Sequence, residues 1–172
     1  MSDSTGPSGT TPLPQGDIRL LETDVARGLL ASNLYARVAY VARDGSPRVV
    51  PSWFTWTGGE LVMPTFIAAP HIAHPSRRLA DLRARPTVAV TIDTDAVPPH
   101  VLLLRGDVTV DEVDGVDPDY AVSARRYLGE EAAGAYLEAV DQPGTRMARI
   151  ALRPSWVGVL DFVARQPGAM RS

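Results

Sequence analysis

The chain has 172 residues and a formal charge of −3, which suits one domain with a real core and provides no global basic field for nucleic acid or anionic lipid. Cysteine is absent, so disulfides, thiol nucleophiles and thiolate metal sites are excluded. All 17 positive side chains are arginine; without lysine there is no Schiff base, and each cation is a guanidinium fork suited to phosphate.

Residues 1–17 are small, polar and rich in proline and glycine, so they are expected to form a mobile tail with too little apolar surface to offset ordering. They carry no basic region followed by an apolar core, and no apolar run in the chain is long enough to cross a bilayer, so the expected location is cytoplasmic. Residues 18–163 are the expected domain, and 164–172 a second tail. Leu20, Leu21, Val25, Leu29 and Leu30 fall at helical spacing and predict an amphipathic helix over Ile18–Ala31. Three strands follow, Leu34–Ala42, Arg48–Thr57 and Glu60–Thr65. Asp44-Gly45 and Gly58-Gly59 supply the positive φ of tight turns between them, which predicts a three-stranded meander.

Phe66–Pro75 reads as a loop. Ser76 is the expected N-cap of a short helix from Arg77 to Ala84, which Pro86 ends. Thr87–Asp93 and His100–Val110 are expected strands separated by Pro98-Pro99. Asp117–Val140 is expected to be helical, broken near Gly129, and to lie outside the sheet. Arg146–Arg153 and Trp156–Phe162 return as strands on either side of Pro154. The fold class is mainly β with added helices.

Familiar enzyme motifs (GxGxxG, GxxxxGK[ST], GxSxG, HExxH) are missing. Arg77 and Arg78 open a helix behind Ser76, where two forks and a first helical turn converge on one anion such as phosphate; the alternative is a solvated basic face continued by Arg83 and Arg85. Pro51 interrupts the strand through Val49, Val50, Ser52, Trp53 and Phe54. That is tolerated at a sheet edge, or where a planar ligand takes the place of a partner strand; read alone, a protected edge is the simpler account. His71 and His74 have a spacing compatible with one metal but no obvious third ligand, so a shaped loop is expected and no metal. His100 reads as a packing or cap residue. The acidic residues Asp111, Glu112, Asp114, Asp117 and Asp119 read as a solvated connection or helix start. No side chain stands out as a catalytic acid or base.

The order of these features resembles the flavin-binding split barrels related to pyridoxamine 5'-phosphate oxidase. The matching pieces are Asp44-Gly45, Pro51-Ser52-Trp53-Phe54, Gly58-Gly59, Thr65, Arg77-Arg78, Leu82 through Pro86 to Val88, the strand around Gly106, and the closing strands from Arg149 to Phe162. The resemblance implies a six-stranded antiparallel split β-barrel that forms a homodimer, with an FMN site at the interface and hydride transfer to or from a small-molecule substrate. It implies that Arg78, with Arg77 beside it, holds the cofactor phosphate and that Thr65 contacts the ribityl end. Val50, Pro51, Ser52 and Trp53 would line the ring through backbone groups, with Trp156 approaching from the partner. Coenzyme F420, whose acidic polyglutamyl tail asks for further cations such as Arg48, Arg83 or Arg85, is the alternative cofactor on the same fold. A barrel that only stores or senses a planar ligand is the non-catalytic alternative. The signature that grips pyridoxal phosphate is absent after Trp156, so vitamin B6 is not the expected substrate.

Overall fold

The structure, a computed structural model, describes residues 13–74 and 76–162; the stretches 1–12 and 164–172, expected as tails, lie outside them. A 3-10 turn at Ile18–Glu22 precedes α1 (Asp24–Ala31), where one continuous helix was expected. The reason is a second cap: Thr23 is extended, and its hydroxyl accepts the Ala26 N–H, so the helix restarts there. The folded chain also begins earlier than expected. Leu13 packs on the core, Gly16 N–H donates to the Val157 carbonyl at 2.8 Å, and the Gln15 side-chain amide bonds both polar groups of the Val159 backbone.

Eight strands follow: β1 (Ala36–Val41), β2 (Pro47–Ser52), β3 (Thr55–Trp56), β4 (Leu61–Val62), β5 (Thr65–Ala68), β6 (Thr87–Asp93), β7 (His100–Asp114) and β8 (Arg146–Asp161). The helices between them are α2 (Arg78–Ala84), α3 (Pro118–Leu128) and α4 (Glu130–Val140). All pairs are antiparallel, in the order β2-β1-β6-β7-β8-β4-β3, with β5 also on β8. Among the described residues the strand count is therefore eight rather than six, and the pairings do not form a closed ring. One cause is Pro64, which has no N–H for the ladder and ends the expected strand 60–65 as the short β4; the chain resumes as β5, which takes residues 66–68 from the expected loop 66–75, and both strands are seated on β8.

The expected meander is corrected in its middle. Both hairpins form, β1–β2 and β3–β4, but β2 and β3 do not pair; they end opposite edges of the ladder. Only Trp53 and Phe54 separate them, and three residue steps span at most about 10 Å. The sheet must curl until its two edges nearly meet. Phe54 plugs that junction with no exposed surface.

Alternation of period two fixes the inner face. In β6, Val88, Val90 and Ile92 are buried while Thr87 and Ala89 are exposed. Leu102 and Leu104 of β7, Leu152 and Val157 of β8, and Leu79 and Leu82 of α2 complete the core around Phe54 and Leu61. β8 runs unbroken through Pro154, where two strands were expected, because β7 carries a register shift opposite it: Arg105 faces Trp156 and Gly106 faces Pro154. The bulge leaves Ser155 unmatched and absorbs the missing proline donor. Gly106 makes this possible, since a Cβ there would lie 2.4 Å from the Arg153 carbonyl oxygen.

The 117–140 segment is helical and broken at Gly129, whose φ of +82° suits glycine. Asp117 caps α3 by accepting the Asp119 and Tyr120 N–H groups. Arg149 of β8 donates to Asp119 at 3.1 Å and to Glu60 at 3.2 Å, tying α3 to the β3–β4 turn. No helix among the described residues is long and apolar enough to cross a membrane.

Two outcomes follow for stability. Gly106→Val forces the bulge apart and is expected to lower unfolding stability by about 1–3 kcal/mol in urea denaturation. Hydrogen bonds from Arg153 and then Arg149 hold the Glu60 carboxyl below its usual range. A depressed carboxylate stabilises the fold above its unfolded pKa, and that contribution fades as pH falls through the folded value. Glu60→Gln should cost about 0.5–1 kcal/mol at neutral pH. In paired titrations the gap to the parent protein should narrow as the pH drops below about 4.3.

Candidate functional site

Of the expected site residues, Arg77 and Arg78 are brought into one cleft. The β1–β2 register sets Tyr40 opposite Arg48, and α2 packs beside this hairpin with Leu79 and Leu82 buried. Arg85 donates to the Ala42 carbonyl at 2.6 Å, and the Arg43 N–H donates to Asp81 at 3.0 Å, so the C-terminal half of α2 is fastened to the turn end of the hairpin. Between them lies a cleft of about 570 Å3, lined by Tyr40, Arg43, Asp44, Arg48, Arg77, Arg78, Asp81 and Ala42.

Charge pairing in the cleft is incomplete. Arg43 pairs with Asp81 at 3.3 Å and Arg48 with Asp44 at 3.2 Å. Arg77 and Arg78 have no carboxylate partner among the described residues, which leaves two positive charges uncompensated. Arg77 is exposed, but Arg78 runs inward past Val38, Met63, Leu82 and Ile150. Its Nε is buried without a hydrogen-bond partner. Burial lowers its pKa from the usual arginine range, an effect partly offset by Tyr40. A buried cation with an unused donor is costly to the fold, and an anion in the cleft would offset the charge.

The expected helix start differs in detail. α2 begins at Arg78; the cap position is Arg77, not Ser76, and no side chain caps it. The positive charge of the cleft comes from its guanidinium groups.

Val50, Pro51 and Ser52 continue along β2 from Arg48, the last of them four residues on, or about 13 Å of strand. β2 ends the sheet, so its outer edge has no strand partner among the described residues. None of these three, nor Trp53, Thr65 or Trp156, lines the arginine cleft. Thr65 is half-buried at the start of β5, opposite Ala148. Trp156 lies on β8, four strand spacings from β2, with the Arg105 guanidinium 4.0 Å above its ring and Gly16 against its edge.

Trp53 belongs to an aromatic cluster that sequence reasoning missed. It stacks on Tyr127 at 5.0 Å and 7°, and on Tyr120 at 5.9 Å. Tyr120 also meets Phe66 edge-on and shares a 2.7 Å hydroxyl contact with Tyr136; burial and that contact push its phenol pKa up. His71 packs edge-on to Phe66. From the same helix, Arg126 donates to the Leu30 carbonyl at 3.2 Å and to the Phe54 carbonyl, and the Tyr127 hydroxyl donates to Leu34 at 2.6 Å. The signal for this face was legible: Tyr120, Ser123, Ala124 and Tyr127 follow the i, i+3, i+4, i+7 pattern. Tyr40 and Arg43 were missed because only the hairpin register sets them beside Arg48 and α2.

No family model matches the chain, and no curated protein sequence does. Solved structures do. An F420 reductase aligns at 26% identity over 77% of this chain and 94% of its own, with a TM-score of 0.56. General Stress Protein 26 from Bacillus anthracis aligns at 14% identity over 84% and 95%, with a TM-score of 0.56. A Clostridium acetobutylicum protein related to general stress protein 26, of the pyridoxinephosphate oxidase family, aligns at 14% identity over 83% and 87%, with a TM-score of 0.51. The chain thus shares the fold of the pyridoxamine 5'-phosphate oxidase-like family, as the order of its sequence motifs implied.

Proposed function

We propose that the chain is a flavin-type oxidoreductase that binds FMN by its phosphate at Arg78 and Arg77, as a homodimer with the cofactor at the subunit interface. The observation that carries this reading is Arg78: a mostly buried guanidinium, with an unpartnered Nε, opening on a cleft with two uncompensated positive charges. A phosphate monoester carries about −1.5 to −2 charges at neutral pH and matches that deficit. Arg78 would supply a fixed fork from the wall and Arg77 a mobile one from the rim. Val50, Pro51 and Ser52, continuing from the cleft along the open edge of β2, offer backbone groups to the ring, and Trp53 closes that row with its face held by Tyr127. In the proposal Thr65 contacts the ribityl end, and Trp156 of a second subunit completes the ring site. Bound FMN supplies hydride transfer to or from a small-molecule substrate; the chain supplies position, charge and exclusion of water. A cytoplasmic location accompanies this reading.

Coenzyme F420 is the second reading. It is favoured by Arg43 and Arg48, which extend the same cleft beyond the phosphate position, and by the likeness to an F420 reductase. Its acidic tail would lie along Arg48 and Arg43 at the expense of their pairs with Asp44 and Asp81.

Fluorescence titration of the purified protein with FMN and with F420 tests both. Arg77→Ala/Arg78→Ala should weaken the bound cofactor by about 100-fold or more, the worth of two lost charge-assisted contacts. Arg78→Met keeps the apolar stem and removes the buried charge. It should weaken binding by about tenfold or more while leaving stability unchanged or raised by up to about 1 kcal/mol. Arg48→Ala should matter for F420 and not for FMN. Failure of both cofactors to bind, or equal binding by the double variant, would sink the proposal.

A further inference from the structure

A second cleft, of about 470 Å3, lies on α1, the β3–β4 turn and α3, away from the Arg77–Arg78 cleft and sharing no lining residue with it. Leu21, Leu30, Ala31, Trp56 and Val122 make its walls apolar. Its charged lining residues are Glu22, Arg27 and Arg126. Glu22 and Arg27 neutralise one another at 2.5 Å, whereas Arg126 has no carboxylate partner among the described residues. Its terminal nitrogens donate to two backbone carbonyls, and its face lies 4.4 Å over the Phe54 ring. Nε is buried and unpartnered. A guanidinium has five N–H donors; Nε remains unused, and carbonyl dipoles, the Tyr127 hydroxyl and a ring face do not cancel a full charge.

We infer that this cleft is a binding site for a small apolar carboxylate, whose anionic end faces Arg126 and whose hydrocarbon body lies along Leu21, Leu30, Trp56 and Val122. Charge complementarity selects the class. The cleft holds one net positive charge and mostly apolar walls, so a monoanion with an apolar tail satisfies both, a neutral hydrocarbon leaves the charge unmet, and a polyanion meets too little cation. The site does not depend on the proposed cofactor. It is joined to that region through the Arg126 contact with the carbonyl of Phe54, the residue after Trp53, and through Tyr127, which lies beside Arg126 and stacks on Trp53.

Octanoate is the probe, with octanamide as its neutral counterpart, titrated calorimetrically into the purified, cofactor-free protein. Octanoate should bind at least about tenfold more tightly than octanamide, the worth of one charge-assisted contact. Val122→Trp fills the cleft from an exposed position and should abolish octanoate binding without changing the urea midpoint. Arg126→Gln keeps a donor for the carbonyls but removes the charge, and should bring octanoate down to the level of octanamide. Equal binding of the two probes by the parent protein would overturn the inference. So would absence of saturation by octanoate up to about 10 mM, or undiminished octanoate binding by a folded Val122→Trp variant.

Discussion

The step from Ser52 to Thr55 governs this molecule. The chain leaves the sheet at one edge and re-enters it at the other after two residues, a distance that backbone geometry limits to about 10 Å. A flat eight-stranded sheet would hold those edges several strand spacings farther apart, at about 4.8 Å per strand. Curling is therefore imposed by connectivity. Phe54, fully buried at the junction, supplies the apolar surface that makes the curled form favourable; truncating such a ring typically costs about 3–5 kcal/mol. Its carbonyl, turned away from any ladder, is satisfied by Arg126 of α3. The inner core, the position of α3 and the exposed edge of β2 all follow from that one crossing.

Charge accounting separates the arginines that hold the fold from those available to a ligand. Most are paired: Arg37 with Asp93, Arg83 and Arg146 with Glu112, Arg149 with Glu60 and Asp119. Such pairs, partly exposed, contribute modestly one by one. Arg78 and Arg126 differ in kind, since each has a buried Nε with no partner. Leaving a buried donor unmet costs about 1–3 kcal/mol, and a fold that tolerates it twice does so beside open clefts in both cases. The same accounting places the acidic residues near 111–119: Asp111, Glu112 and Asp114, expected in a connection, lie on β7, Glu112 and Asp119 pair with arginines, and Asp117 caps α3.

Local signals were legible where one physical effect dominated. β6 matches its sequence prediction at both ends because strict alternation and flanking breakers agree. The two glycine hairpins and the Gly129 break follow from backbone conformations that glycine adopts freely. What escaped the sequence was set by distant partners. Pro154 reads as a strand end, and only the register shift at Gly106 on β7 shows how the strand continues. Arg48–Thr57 reads as one strand because the pattern persists through Trp53 and Phe54, although their partners lie on α3 and not on a neighbouring strand. At the candidate site, Arg77 and Arg78 were readable as an adjacent pair; that Arg78 turns inward, and that Arg43 and Arg48 join it, are consequences of α2 packing beside the hairpin.

The helical segment 117–140 divides into two mechanical parts. α3 is fixed to five other elements or connections: Thr55 of β3 donates to its Asp119 carbonyl at 2.9 Å, Arg149 of β8 bonds the Asp119 carboxylate, Arg126 reaches the end of α1 and the Phe54 carbonyl, and Tyr127 reaches Leu34. Segments that open readily have few buried contacts and few such ties, so α3 is a wall. It holds Trp53 flat against Tyr127 and so fixes the chain just after the end of β2. α4 has a lighter hold, chiefly the buried Ala133 and Val140 and the Tyr136–Tyr120 contact, with Gly129 as its hinge. Its ties to that wall include the Tyr120–Tyr136 hydroxyl contact, the Arg125–Glu130 pair and the edge of Tyr136 against Trp53.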